Sequence, residues 1–265
     1  MGEKNSSKTR VAPVFNKLCD KDKTGKTWLP RLLRLPTGGH PIRISSEWDF
    51  TIQEAKWGED EKKLDPPLSL LSWLIRHPRI PAHGKLSHDR VKAQKRRGLI
   101  EGSDVRLHEA LSLLRHNPEG HDWHIFEGKT QPDVFIQTPD ILIVVEGKRT
   151  EREVTKETKW MSGRHQMLRH IDCAWEVKGQ RQVFGFFIVE GEGTEDGVPP
   201  FWLDQARKTI SREAIMSSLP HRGPEEQEGI SRCFLGVTSW QRVCKEFRID
   251  WMSIRNLTTD SGRSL

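Results

Sequence analysis

Three charged residues stand at the ends of two apolar segments that are close together in the sequence. Asp133 begins the segment DVFIQ, and Glu146 and Lys148 follow the segment ILIVV. Two carboxylates that meet repel each other unless a cation lies between them, and hard oxygen ligands select Mg²⁺ or Mn²⁺. A lysine beside such an ion can stabilise the charge that develops on a phosphate. The three residues could therefore form a metal site that acts on phosphate esters if the fold brings them together.

The tight turn TPD separates the two segments and predicts a β-hairpin. Counting outward from the middle of this turn pairs residue 133 with about residue 145, which puts Asp133 beside Glu146. The side chains of Glu146 and Lys148 project from one face, whereas Gly147 points away and lets backbone come close. Because ILIVV must be buried, these charges are expected at the end of a sheet, where α/β proteins have their sites. The alternative is a charged hairpin edge whose Glu146 and Lys148 are solvated or paired.

The elements around the hairpin predict an α/β fold. We expect a helix capped by Ser103, three strands, a helix, a strand, a helix, and a strand that leads into a last helix. The four strands before the last are predicted at residues 123–126, 133–137, 141–146 and 182–190. Crossovers of the strand-helix-strand type imply some parallel pairing.

Three regions are predicted along the chain. Residues 1–27 are polar and lysine-rich and are expected to form a flexible basic arm. Residues 28–102 are expected to form a mostly helical N-terminal region, with an apolar helix near residues 66–78. Residues 103–265 are expected to hold the α/β domain.

The charged residues and the order of the elements resemble the PD-(D/E)xK nuclease superfamily. The matching residues are the pair Pro132-Asp133 and the motif Glu146-Gly147-Lys148 at the end of the next strand. The resemblance covers about residues 103 to 190 and includes enzymes of the restriction-endonuclease and RecB types. It implies a restriction-endonuclease-like core, made of a helix, a three-strand meander, a helix and a further strand. It also implies a metal-dependent nuclease that hydrolyses DNA phosphodiester bonds.

The metal set that follows from this resemblance is Asp133, Glu146, Gly147 and Glu109. Family members often supply another acid from the first helix, and Glu109 in VRLHEALSLLRH is the candidate here. A helical wheel places Glu109 roughly opposite the Leu107, Ala110, Leu111 and Leu114 face. The same position also suits a plainly exposed glutamate, so the two interpretations stay open.

The catalytic set that the resemblance implies is Asp133, Glu146, Lys148 and Gln166. RecB-type members have a glutamine followed four residues later by tyrosine, whereas here His170 follows Gln166 at that separation. The two residues lie on one face of the predicted helix. Because the chain contains no tyrosine, His170 departs from the family pattern, and a direct role for it is in doubt.

Basic residues predict contacts with DNA. The segment 85–97 contains six basic residues and one acid, a density that suits a polyanion because neutralised phosphates release counterions. The alternative for this segment is a solvated helix face. The residues predicted to contact nucleic acid are Lys92, Lys95, Arg96, Arg97, Arg164 and Arg169.

Composition limits the classes of protein that remain. The formal net charge is +6, and no apolar run approaches the length of a membrane span. Four widely spaced cysteines argue against a zinc knuckle and a disulfide framework, so a cytoplasmic location is expected. Two other functions stay open: a catalytically silent nucleic-acid-binding or assembly protein with this fold, and a nuclease that cleaves RNA. A homodimer or a larger complex is equally open.

Overall fold

The computed structural model describes residues 6–118, 122–151, 154–155, 157–192 and 197–257. The strands within these residues are β1 (Thr37–Gly38), β2 (Glu54–Trp57), β3 (Val134–Gln137), β4 (Ile141–Gly147), β5 (Glu157–Thr158), β6 (Met161–Ser162), β7 (Gln182–Val189) and β8 (Phe234–Ser239). Six of these described strands form one mixed sheet in the order β1-β8-β7-β4-β3-β2, and β5 and β6 form a separate hairpin. The protein is therefore a mixed α/β fold.

The helices lie between these strands and after them. In the described part of the chain they are a π-helical segment (Ser7–Val11), α1 (Ala12–Lys21), α2 (Leu29–Leu32), α3 (Leu68–Arg76), α4 (Arg90–Ile100), α5 (Asp104–His116), α6 (Gln166–Val177), α7 (Pro200–Thr209), α8 (Arg212–Ser218), α9 (Pro224–Arg232), α10 (Trp240–Glu246) and α11 (Trp251–Arg255). Strand β4 pairs in parallel with β7, and β7 with β8, whereas β2, β3 and β4 form an antiparallel meander. Helix α6 provides the crossover between β4 and β7.

Strand β4 lies at the centre of the sheet and is buried along its whole length. Ile141, Ile143 and Val145 belong to one hydrophobic cluster, together with residues of α1, α2 and α10. Leu142 and Val144 belong to a second cluster on the opposite face, with residues of α6, α7 and α9. Alternate side chains of a strand point to opposite faces, so helices cover both faces of β4. This arrangement explains why the segment is apolar throughout.

A third hydrophobic cluster joins α3, α4 and α5. It also includes Trp123, Phe126, Trp160 and Met161, which come from the loop before β3 and from the β5-β6 hairpin. Asp89 caps α4 by accepting a hydrogen bond from Lys92 N, and Ser103 caps α5 by accepting one from Arg106 N. The predicted Ser103 cap is thereby confirmed.

The predicted strand at residues 123–126 is wrong. These residues form a turn and an irregular segment, and the first strand of the meander is β2, which lies upstream of α5. Helix α5 is consequently inserted between the first and second strands of the meander, and the predicted order of helix, three strands, helix and strand is not observed. The apolar side chains of 123–126 pack instead in the third cluster.

The N-terminal residues also differ from expectation. In place of a loosely ordered arm, residues 6–21 are helical, and Val11, Val14, Phe15 and Leu18 are fully buried in the core. Residues 1–5 of the predicted arm lie outside the described residues. The region 28–102 contains α2, α3 and α4 but also contributes β1 and β2 to the sheet. The polar composition of these segments hid the apolar residues that join the core, and even Thr9 and Arg10 are buried.

The helix predicted after the strand at residues 182–190 is divided in two. Helix α7 ends at Thr209, and Ser211 starts α8 by accepting a hydrogen bond from Ala214 N. None of the helices in the described ranges is both long enough and apolar enough to cross a membrane.

Candidate active site

The β3-β4 hairpin brings Asp133 next to Glu146. Val134 pairs with Val145, and continuing this antiparallel register by one residue sets Asp133 opposite Glu146. Directly opposed residues share a face of the sheet. Asp133 Oδ2 accepts a hydrogen bond of 2.7 Å from the backbone N–H of Gly147. The predicted proximity of the two carboxylates is therefore observed, with a register that differs by one residue from the one predicted.

The backbone N–H and C=O groups of Gly147 also point towards β3 and Asp133. Lys148 N donates to Ile188 O, and Lys148 O accepts from Glu190 N, so the main chain at Lys148 faces β7. Main-chain direction alternates along a strand, and the N–H and C=O of Gly147 therefore face β3. A Cβ atom at this position would lie 2.8 Å from Val11 Cγ2. Glycine is thus the residue that fits between Asp133 and the core.

Glu146 is the centre of a buried hydrogen-bond network. Its Oε1 accepts hydrogen bonds from Lys148 Nζ at 3.0 Å and from Gln166 Nε2 at 2.6 Å. Lys148 Nζ also donates to Gln166 Oε1 at 3.0 Å. Only 7% of Glu146 and 8% of Lys148 is exposed. Three residues that were predicted to act together are therefore in direct contact.

His170 joins this network from the next turn of α6. Its Nε2 lies 3.1 Å from Glu146 Oε2, and its Nδ1 lies 2.8 Å from Thr130 Oγ1. A carboxylate only accepts hydrogen bonds, so Nε2 carries the proton that bridges to Glu146. The hydroxyl of Thr130 is then the hydrogen-bond partner of the other ring nitrogen, Nδ1. His170, which the family pattern left in doubt, is thus part of the site's geometry.

The two carboxyl groups have opposite pKa shifts. Burial, together with the neighbouring charge of Glu146, raises the pKa of Asp133 to about 8. Burial would also raise the pKa of Glu146, but the hydrogen bond from His170 and the charge of Lys148 lower it below its ordinary value. The network therefore holds Glu146 as a carboxylate, whereas none of the described residues forms an ion pair with Asp133.

Sequence reasoning missed two residues near this pair. The negative charge of Glu61 contributes to the raised pKa of Asp133. Ser7 Oγ donates to Glu61 Oε1 at 2.9 Å and so ties the N-terminal segment to the loop after β2. Thr130 is the other missed residue. Neither belongs to a motif, and each reaches the site through long-range pairing that no local signal reveals.

Glu109 does not join the site. Its carboxylate accepts hydrogen bonds from Lys95 Nζ at 2.6 Å and from Arg106 Nη1 at 2.5 Å. Both hydrogen bonds lower the pKa of Glu109, and the one from Lys95 has the larger effect. Helix α5 packs on α3 and α4. The charge of Glu109 is therefore engaged in ion pairs of the helical region and not with Asp133 or Glu146.

Two of the arginines predicted to contact DNA are buried. Arg96 donates hydrogen bonds to the backbone oxygens of Leu86, Asp122, Trp123 and Ile125. Arg164 is fully buried and lies 2.8 Å from Asp172. Both guanidinium groups hold the fold together, so neither can serve as a surface contact. A run of basic residues in a sequence does not show which of their side chains are buried.

The other predicted contacts lie at the surface or near it. Lys95 pairs with Glu109, and Lys92 lies 3.7 Å from Asp122. Arg97 is exposed, and Arg169 is partly exposed, with its Nε 2.6 Å from Glu127 Oε1. These four remain compatible with a surface that meets a polyanion.

Comparison with protein-family models, curated proteins and solved structures found no match to this chain. In the part of the chain that the structure describes, no three residues among His, Cys, Asp and Glu are grouped as a ready-made metal site. Asp133 and Glu146 are the carboxylates that the β3-β4 hairpin places side by side. A metal ion there would need the backbone oxygen of Gly147 and water as further ligands.

Proposed function

We propose that this protein is a metal-dependent nuclease that hydrolyses DNA phosphodiester bonds, with Asp133, Glu146 and Lys148 as its catalytic centre. The observation that carries the proposal is the convergence of Lys148, Gln166 and His170 on one carboxylate that stands beside a second one. A charged surface edge would have no need of four polar side chains buried together. On this proposal the β2-β3-β4 meander, helix α6 and strand β7 form a restriction-endonuclease-like core into which α3, α4 and α5 are inserted after β2.

The chemistry of the donor set fits Mg²⁺ or Mn²⁺. A carboxylate offers about four lone-pair positions; in Glu146, three accept hydrogen bonds from described residues, and one on Oε2 remains. Asp133 and the carbonyl of Gly147 provide further oxygen ligands of the kind these ions prefer. Asp133 is also buried next to the second carboxylate, an arrangement that a cation between the two would stabilise. A bound divalent ion would supply Lewis-acid activation of the phosphate and of water.

The residues of the chain have distinct roles in this proposal. Asp133 and Glu146 bind the ion, and Gly147 lets the main chain approach it. Lys148 stabilises the negative charge that grows on the phosphate oxygens during hydrolysis. Gln166 contacts both Lys148 and Glu146 and therefore fixes their relative positions. The four cysteines are free, which supports a reducing, cytoplasmic location as part of the same proposal.

The roles of the acid and the lysine can be separated by experiment. Replacing Asp133 by Ala should abolish Mg²⁺-dependent cleavage of DNA and weaken Mn²⁺ binding. Replacing Lys148 by Ala should lower the rate of cleavage about 10²-fold or more and change Mn²⁺ affinity much less. Cleavage of circular DNA, linear DNA and an RNA of the same sequence should be measured in parallel. An active Asp133→Ala protein would refute the assignment, and cleavage of the RNA alone would change the substrate.

A further inference from the structure

A cleft of about 390 Å³ opens beside Arg169 of α6. Its walls are the loop 125–128, the β5-β6 hairpin and the side chain of Arg169. Arg169 directly precedes His170 on α6, and Gly128 lies two residues before Thr130. The cleft therefore adjoins the residues that hold Glu146.

Two cations of this cleft contact one aromatic ring. The guanidinium carbon of Arg96 lies 5.0 Å from the centroid of the Trp160 ring, and Lys159 Nζ lies 5.1 Å from it. Among the residues that the structure describes, no carboxylate forms an ion pair with Arg96 or Lys159. Burial and the charge of Arg96 lower the pKa of Lys159. The lining also contains Glu157, and the charge of Asp122 acts on Arg96. Lys159 is therefore the cation of the cleft whose charge no ion pair with a described acid neutralises.

The buried acid of the cleft is already engaged. Glu127 Oε1 lies 2.6 Å from Arg169 Nε and 3.7 Å from Arg164 Nε, and Glu127 Oε2 accepts a hydrogen bond from Thr158 Oγ1 at 3.0 Å. Glu127 thus ties α6 to the β5-β6 hairpin and does not reach Lys159. An anion that enters the cleft would therefore meet Lys159 at the wall, since Arg169 is engaged by Glu127 and by the backbone oxygens of Gly128 and Lys129.

We propose that this cleft binds a backbone phosphate of the DNA strand next to the phosphate that is cleaved. The inference rests on the proposed function and adds a substrate subsite to it. Lys159 is the residue that contacts the phosphate most directly, because Arg96 has its donors on backbone carbonyls. Trp160 keeps the Lys159 side chain in place, which reduces the entropy lost on binding.

The test uses two lysines in matched surroundings. Lys178 is half-buried like Lys159, and its Nζ lies 4.5 Å from the centroid of the Trp175 ring, at the other end of α6. Lys159→Ala, Lys159→Glu and Lys178→Ala proteins should be compared with wild type. Affinity for one DNA duplex is measured at several salt concentrations with Ca²⁺ in place of Mg²⁺, and cleavage kinetics are measured with Mg²⁺.

For Lys159→Ala, the slope of log affinity against log salt should fall by about 0.9, which corresponds to one lost phosphate contact. KM should rise several-fold with little change in kcat, and Lys159→Glu should raise KM further. Lys178→Ala should match wild type in each measurement.

The possible failures differ from one another. If wild type cleaves DNA and the Lys159 variants behave like Lys178→Ala, the cleft proposal is wrong and the proposed function stands. If wild type neither binds nor cleaves DNA, the proposed function fails, and the cleft proposal fails with it. Circular dichroism and thermal melting of each variant show whether a loss of binding comes from unfolding, in which case Lys159→Gln takes the place of the unfolded variant.

Discussion

Replacing Asp133 by Asn should remove a large pH-dependent loss of stability from the metal-free protein. The pKa of this carboxyl is about 8 in the folded protein, against an ordinary value of 3.8. Well below pH 3.8 this carboxyl is protonated in both the folded and the unfolded state and does not change the free energy of unfolding. Between these two values the unfolded chain releases the proton while the folded protein keeps it, so the free energy of unfolding falls as the pH rises.

The size of the effect follows from the same shift. Each pH unit within this window removes up to about 1.4 kcal/mol, and the whole shift corresponds to a loss on the order of 6 kcal/mol. The lowered pKa of Glu146 acts in the opposite direction and at more acidic pH, since its stabilisation is lost as the pH falls. Between about pH 5 and pH 8, the change with pH in the difference in stability between wild type and Asp133→Asn therefore reports on Asp133.

The assay is urea unfolding in EDTA at pH 5, 6, 7 and 8. Asp133→Asn should be more stable than wild type by an amount that grows with pH, and Mg²⁺ should narrow the difference by stabilising wild type. Asp204→Asn is the control, because Asp204 forms an exposed ion pair with Lys208, and such pairs contribute little. A difference between Asp133→Asn and wild type that stays constant from pH 5 to pH 8 would refute the reasoning.

Three further changes test other parts of the account. Thr130→Val should lower the rate of DNA cleavage about 10-fold or more by leaving the adjacent imidazole nitrogen without a partner, and Thr130→Ser should restore it; equal rates in the two variants would contradict this role. Gly147→Ala should cost about 1–3 kcal/mol in urea unfolding, because a Cβ there would lie 2.9 Å from Trp240 Cζ2; an unchanged midpoint would mean that the core yields. Arg96→Ala should destabilise the fold by about 3 kcal/mol by leaving backbone carbonyls unpaired, whereas Arg97→Ala should leave stability unchanged and weaken DNA binding at low salt. If Arg96→Ala instead weakened DNA binding without a loss of stability, Arg96 would have to be a surface contact and not a buried structural residue.

Local signals in the sequence predicted the hairpin that bears the site. The apolar run ILIVV, the TPD turn and the charges after them each act over a few residues, and strands β3 and β4 agree with that prediction within one residue. The predicted strand 182–190 corresponds to β7 and is also confirmed. The face shared by Glu146 and Lys148 followed from strand geometry alone.

Features that depend on distant pairing could not be predicted in this way. Strand β2 has only four residues, all half-buried, and its pairing with β3 joins segments about 80 residues apart. The burial of Arg96 depends on four carbonyls that the chain supplies from elsewhere. Glu109 was assigned from a helical wheel, which gives a face of the helix and not the residues that it meets.

The measurement that tests the central claim most directly is the rate of DNA cleavage by wild type and by Glu146→Gln, each with Mg²⁺ and with EDTA. Glutamine has the shape of glutamate but cannot supply the negative charge that the ion and Lys148 require. Wild type should cleave with Mg²⁺ and not with EDTA, and Glu146→Gln should be slower by about 10²-fold or more while it keeps the wild-type fold. Cleavage that persists in EDTA, or a Glu146→Gln protein as active as wild type, would contradict the claim that this carboxylate network is a metal-dependent catalytic centre.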